Sequence, residues 1–295
     1  MALKTAEEYI DSLRQLKRTA YILGEKVDNT VDHPMIRSQL EATAETYRLA
    51  NDPRYQNLLT TTSHLTGERI NRFTHICQGP QDLIQRAKVS RFLGQTTGTC
   101  WMHCTGLDAI NTAYIVAHDI DHKYGTHYAK RISDFVRYVQ KNDLTCHMAM
   151  TDVKGNRGLR PSEQANPDMF LRIVERNNDG IIVRGAKAHQ SGALNAHECF
   201  AGPGTALREN EKDYAVAFAI PTDTKGLIYI YGRGPMDTRE LEGVDLGNIK
   251  YSKYACTLIF NDVFVPWERV FMCGEWDFAD SFVTKFASFH RQSHG

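Results

Sequence analysis

Two cysteines four residues apart, Cys100 and Cys104 in the stretch Cys-Trp-Met-His-Cys, are the side chains best suited to chemistry in this sequence. On a helix, positions i and i+4 share a face, so the two thiols either hold one metal or cluster between them or pack as buried apolar groups. His103 lies three residues after Cys100 and serves as a further ligand or as a surface residue. Residues 150–158 (MTDVKGNRG) form a second candidate. They are rich in donors and in Gly and Asn, so backbone N–H groups can approach an anion or cofactor closely, and a plain surface turn is the other reading. Lys187-Ala188-His189-Gln190-Ser191-Gly192 follows an expected strand, where polar side chains can line a pocket at the strand end. His290-Arg291-Gln292-Ser293-His294 sets two histidines beside an arginine at a helix end, as base, ligand or surface residues. Cys77, Cys146, Cys199, Cys256 and Cys273 have no companion at ligand spacing and are taken as packing.

The elements that must position these groups change character along the chain. Residues 5–17 carry Tyr9, Leu13 and Leu16 at helical spacing behind Thr5 and Glu8, a capping-box pair. His33-Pro34 breaks that pattern. Helical periods follow at 34–51, 80–93, 105–124 (a stripe of Leu107, Ile110, Ala113, Tyr114 and Ala117) and 128–141. From about Thr145 the pattern is one of short β-branched or aromatic runs at 180–188, 214–220, 227–231 and 256–265. Beyond Pro266 it turns helical again, with Phe278, Phe282, Phe286 and Phe289 on one apolar face. Such a face needs a partner, so a missing segment or a partner subunit is expected to cover it.

Composition bounds the function. Lys+Arg and Asp+Glu balance at 35 each, which argues against a nucleic-acid partner, and 42% hydrophobic residues suffice for a sizeable core. No run approaches a membrane span and the N-terminus is charged, so a soluble, cytoplasmic protein with no membrane partner is expected. Seven scattered cysteines fit reduced thiols or metal ligands better than a disulfide framework.

Taken together, the chain resembles the 4-hydroxybutyryl-CoA dehydratases. The matching stretches run in order through GEK (24–26), VDHPMIR (31–37), INRF (70–73), LGQ (93–95), the Cys-x-x-x-Cys pair, KYGT (123–126), AMTD-KG-RG (149–158), FLRIVE (170–175), RGAKAHQ (184–190), DYAV (213–216) and HRQS (290–293). The broader relatives, flavin-dependent 4-hydroxyphenylacetate 3-monooxygenases, share the fold and flavin but lack the cysteine pair. The resemblance implies an α+β, acyl-CoA dehydrogenase-like fold: an N-terminal helical domain (1–144), a barrel-like middle β domain (145–275), and the start of a C-terminal helical bundle (276–295) that is largely missing.

It also implies dehydration of 4-hydroxybutyryl-CoA to crotonyl-CoA by a flavin- and iron-sulfur-dependent radical mechanism. The cofactors implied are FAD and a 4Fe-4S cluster. Cys100, Cys104 and His290 match three cluster ligands, with the fourth falling beyond Gly295, and His290 is also the candidate base. Met150, Thr151, Asp152, Lys154, Arg157, Gln190 and Ser191 match the positions that hold the flavin and the substrate's thioester. Vinylacetyl-CoA isomerisation is the alternative activity, and a non-catalytic fragment or one subunit of a split enzyme the alternative to an active chain. An acyl-CoA substrate and a tetramer, or a partner subunit supplying the C-terminal helices, are the partners implied. Three positions depart from the family pattern: Ser191 replaces a threonine, His294 a tyrosine and Ala255 a glutamate.

Overall fold

The computed structural model describes residues 3–101, 103–232, 250–251 and 253–294, the side chains of 293 and 294 excepted. Helix α1 (Ala6–Arg14) opens as its sequence dictates. The Glu8 N–H donates to Thr5 Oγ1 at 3.1 Å and the Thr5 N–H donates to the Glu8 carboxylate at 2.8 Å, closing the capping box. Strands β1 (Thr19–Ile22) and β2 (Glu25–Val27) follow, then α2 (Pro34–Asn51), with Pro34 in its first turn, and the short α3 (Gln56–Leu59). A hairpin of β3 (Thr60–Thr62) and β4 (Arg69–Asn71) leads to three longer helices, α4 (Pro80–Thr97), α5 (Cys104–Tyr124) and α6 (Tyr128–Lys141). Both α4 and α5 end on a left-handed glycine, Gly98 and Gly125, as a C-terminal cap requires.

The remaining strands are β5 (Cys146–Ala149), β6 (Arg172–Arg176), β7 (Gly180–Ser191), β8 (Glu198–Ala201), β9 (Val216–Pro221), β10 (Leu227–Tyr231), β11 (Ala255–Pro266) and β12 (Val270–Cys273), before the final helix α7 (Ala279–His294). Among the described residues they form a six-stranded sheet in the order β2-β1-β10-β11-β7-β6 and a four-stranded sheet in the order β12-β9-β8-β5. Neither sheet closes on itself, so no closed barrel is found where a barrel-like middle domain was expected. The helical first half also gives up β1 and β2 to the larger sheet, where β1 runs parallel to β10.

One apolar core runs from α1 and α2 through α5 and α6 into both sheets and on to Phe282 and Phe286 of α7. The chain itself covers part of the phenylalanine face. Phe282 and Phe286 are buried, the Lys123 ammonium lies 5.6 Å from the Phe278 ring centre, and the Arg86 guanidinium lies over Phe289 at 5.3 Å. Helix α5 is the centre of this packing, touching α6, α7 and β5. Its approach to β5 depends on Gly106, where a β-carbon would overlap the Cys146 carbonyl.

Candidate active site

The close contact at Gly106 brings the N-terminus of α5 against β5, and with it Cys104, the first residue of that helix. Cys100 is not on the helix, as its spacing had suggested; it lies in the turn between Gly98 and Cys104. The turn folds back so that the two sulfurs still meet, 3.2 Å apart. Buried Trp101 and His103 anchor the turn. The His103 ring stacks on Phe73 at 3.8 Å and its Nε2 is 2.8 Å from Thr46 Oγ1, while burial pushes its pKa down to about 3. A histidine so enclosed is a core residue rather than a ligand. The hydrogen bond shared with Cys100, and then burial, push the Cys104 thiol well up, and the nearby Lys253 charge acts in the opposite direction.

The thiol pair faces a cavity of about 240 Å³. Its walls come from separate parts of the chain: Thr105 beside the pair, Met148 of β5, Met150 and Thr151 just after it, His189, Gln190 and Ser191 at the end of β7, Lys253, and Phe286 and His290 of α7. The segment 189–191 still belongs to β7 and does not follow the strand as expected. His189 sits there at φ +58°, a left-handed conformation unusual for a side-chain-bearing residue in a strand, and such strain collects at functional sites. Ser191 and Ala255 are register partners across β7 and β11, so the position where a glutamate was expected lies beside the cavity wall.

The loop after β5 is pinned from below. Lys187 is 1% exposed; its Nζ lies 2.7 Å from Asp152 Oδ1 and donates to the carbonyls of Met150 and Gly202, each at 2.9 Å. The Leu171 N–H donates to Asp152 at 3.2 Å. Burial pushes the Asp152 carboxyl up and the Lys187 ammonium down, and their mutual attraction opposes both shifts. The Thr151 carbonyl accepts from the Ala188 N–H at 2.8 Å and from the Gln190 carboxamide at 3.1 Å. With these carbonyls turned inward, the loop is a fixed rim for the cavity.

Of the residues expected from sequence, Cys100, Cys104, His290, Met150, Thr151, Gln190 and Ser191 all line this one cavity. Lys154 and Arg157 do not; with Arg160, Phe170 and Thr205 they line a separate cavity of about 290 Å³. Asp152 faces neither, because its carboxylate is taken by Lys187 and Leu171. Sequence reasoning missed Thr105, Met148, Lys253 and the buried Asp108, whose Oδ2 is 2.7 Å from His290 Nδ1. The four-residue spacing from Cys104 to Asp108 on α5 was a signal for the last. Met102 and the side chain of His294 lie outside what the structure describes.

Comparison with known proteins matches residues 5–272 to the 4-hydroxyphenylacetate 3-hydroxylase N-terminal family. The chain belongs to that family. Within it, the chain is 50% identical to a 4-hydroxybutyryl-CoA dehydratase/vinylacetyl-CoA-Δ-isomerase of Clostridium aminobutyricum, over 99% of this chain and 60% of that protein. A solved structure of an oxygen-tolerant archaeal 4-hydroxybutyryl-CoA dehydratase from N. maritimus superposes with a TM-score of 0.95 at 45% identity, covering 99% of this chain and 59% of the other. The oxygenase component of a 4-hydroxyphenylacetate 3-monooxygenase, solved with FAD, gives a TM-score of 0.77 at 29% identity over 97% of this chain and 58% of that one. The chain thus spans about 60% of the length of such relatives.

Two thiols in contact and an imidazole on one cavity wall suit a thiophilic metal centre in the kind of donor they offer. Among the described residues, however, no three Cys, His, Asp or Glu side chains are gathered at coordinating distance. The fit is in donor type and shared cavity. No described helix is long and apolar enough to cross a membrane.

Proposed function

We propose that this chain carries the flavin-facing and thiol-bearing part of a 4-hydroxybutyryl-CoA dehydratase, which removes water from 4-hydroxybutyryl-CoA to give crotonyl-CoA. The observation that carries the reading is the Cys100–Cys104 contact of 3.2 Å on the cavity that His290, Met150, Thr151 and Ser191 also line. By resemblance, the cysteine pair separates dehydratases from flavin oxygenases of the same fold. The half-identical relative from Clostridium aminobutyricum is named for this activity together with vinylacetyl-CoA isomerisation.

In this reading Cys100 and Cys104 bind iron as thiolates, and His290 is a third donor and a base at the substrate. Met150, Thr151 and Ser191 orient the flavin and the substrate thioester, and Gln190 keeps that rim in shape through its hydrogen bond to Thr151. Lys154 and Arg157 meet an anionic part of the cofactor or substrate in the neighbouring cavity. Asp152 acts on the loop through Lys187. When bound, FAD supplies one-electron chemistry and a 4Fe-4S cluster supplies a Lewis-acidic iron. Removal of a non-acidic C–H proton calls for such help, since a base alone faces a very high barrier. Phe286 and Met148 keep part of the cavity apolar, which limits water around the reacting groups. A fourth cluster ligand and further helices come from the remaining part of the relatives' length or from a partner subunit, in a homotetramer by resemblance.

The test is anaerobic turnover of the full-length enzyme with 4-hydroxybutyryl-CoA and, beside it, vinylacetyl-CoA. Crotonyl-CoA from both substrates is expected, with activity and iron lost in Cys104→Ser. Crotonyl-CoA from vinylacetyl-CoA alone means an isomerase, and full turnover with full iron in Cys104→Ser would overturn the site assignment. The 295-residue chain by itself is expected to bind flavin weakly and to assemble no complete cluster. A stable, stoichiometric cluster on it would show that no further ligand is needed.

A further inference from the structure

One turn beyond Cys104, helix α5 carries an acidic side chain with no exposure, Asp108. Its Oδ2 lies 2.7 Å from His290 Nδ1 on α7, and its Oδ1 meets the guanidinium of Arg86 on α4. Arg86 is itself 1% exposed, lies over the Phe289 ring at 5.3 Å and donates to the Phe289 carbonyl at 3.3 Å. One carboxylate thus joins three helices. The ion pair with Arg86 balances the buried charge of Asp108, so the bond to His290 is additional to what burial demands. His290, by contrast, keeps 38% of its side chain exposed, and its ring lies nearly parallel to that of Phe286 on the same helix, centroids 6.0 Å apart.

A carboxylate accepts hydrogen bonds and does not donate them, so the ring must present a protonated Nδ1 to Asp108. The partner nitrogen then decides orientation as well as tautomer, a device known where carboxylates back metal-binding imidazoles. Cys104 and Asp108, four residues apart, share one face of α5. The helix that presents a thiol to the cavity therefore also sets the imidazole.

We propose that Asp108, backed by Arg86, is a positioning residue that holds the His290 imidazole through Nδ1 against the Cys100–Cys104 cavity. Nε2 is then the nitrogen left to hold a metal or, while no metal is on it, to take a proton, and it would not do both at once. Only that metal rests on the dehydratase reading; the imidazole–carboxylate arrangement stands without it.

Two measurements test the proposal. In ¹⁵N–¹H spectra of the metal-free 295-residue chain, His290 should carry its proton on Nδ1. A neutral His290 protonated on Nε2 overturns the proposal whatever the variants do. In the full-length enzyme, Arg86→Met/Asp108→Leu removes both charges together, avoiding an orphaned buried ion. It should keep its fold and flavin content, alter the EPR signature of the cluster, and weaken metal binding about 10–100-fold. Arg86→Met/Asp108→Asn, which retains an acceptor, should restore much of the native signature. An unchanged signature in the leucine variant overturns the positioning role. A wild-type enzyme without any cluster would sink the dehydratase reading instead, and the tautomer still decides this inference.

Discussion

Lys187→Met is the perturbation whose size follows most directly from the structure. The ammonium is 1% exposed, its ion-pair partner Asp152 is 4% exposed, and the two are 2.7 Å apart. Removing the cation leaves a carboxylate in a place that water cannot reach, a loss of about 3–5 kcal/mol for a broken buried pair. Two carbonyls, those of Met150 and Gly202, lose their donor in the same step. For a chain of this size the loss corresponds to a fall in melting temperature of roughly 5–8 °C. The informative experiment is a double-mutant cycle with Asp152→Asn, followed by urea unfolding. Asparagine keeps an acceptor for the Leu171 N–H but carries no charge. The double variant should therefore be more stable than Lys187→Met alone, with a coupling energy of about 1–3 kcal/mol. Ligand retention at the cavity should stay weakened in both variants, because the Met150 carbonyl remains without its donor. Additive losses, or a single-variant loss below about 1 kcal/mol, would refute the reasoning, since the pair would then not be a buried one in solution.

Other perturbations have equally definite outcomes. Gly106→Ala should cost about 1–3 kcal/mol in a thermal melt despite alanine's better helix propensity, because the new β-carbon overlaps the Cys146 carbonyl, a backbone atom that cannot swing aside. Phe282→Ala, at a side chain 1% exposed between α7 and the core, should cost about 3–5 kcal/mol and loosen α7 enough to be seen in amide exchange of residues 279–294. Glu198 is held chiefly by burial at a pKa of about 7, above its ordinary value, against the pull of Arg269 at 2.9 Å. A raised folded-state pKa stabilises below the unfolded value and loses that contribution as pH rises through about 7. Urea midpoints at pH 5.5 and 8 should therefore show a smaller alkaline loss in Glu198→Gln than in the wild type, and an identical pH slope would contradict this.

How much of this was legible in the sequence depends on whether a signal is local. The Thr5–Glu8 box, Pro34 at the start of α2 and the glycine ends of α4 and α5 are short-range chemistry, and the structure follows them. Strand β1 joins the sheet through a distant partner: β2 is its local hairpin neighbour, but β10 lies along its other edge, a pairing between residues some two hundred positions apart. The same limit applies to the site. Spacing placed both cysteines on one helix, yet the contact arises because a turn after Gly98 folds Cys100 onto the start of α5. The resemblance gathered Asp152 with the ligand-facing loop, whereas burial turns its carboxylate inward to Lys187. A polar residue in a motif can serve the loop that carries the site, and sequence alone does not separate the two roles.

The cavity is assembled from a turn, a helix start, two strand ends and the final helix, so no single element preorganises it. Their relative placement rests on a few contacts that tolerate little change. Gly106 sets how near α5 comes to β5, Lys187 ties the loop after β5 to β7 and to Gly202, and Asp108 ties α5 to α7. Lys187–Asp152 is a buried ion pair, and Asp108 is held by another with Arg86 of α4; such pairs contribute little net stability but exact a large penalty when one partner is lost. They therefore act more on the uniqueness of the arrangement than on its free energy. Under the dehydratase reading proposed above, a site built from two thiols and an imidazole would gain from that bias, because displacing one donor by an ångström would cost function while leaving the fold intact.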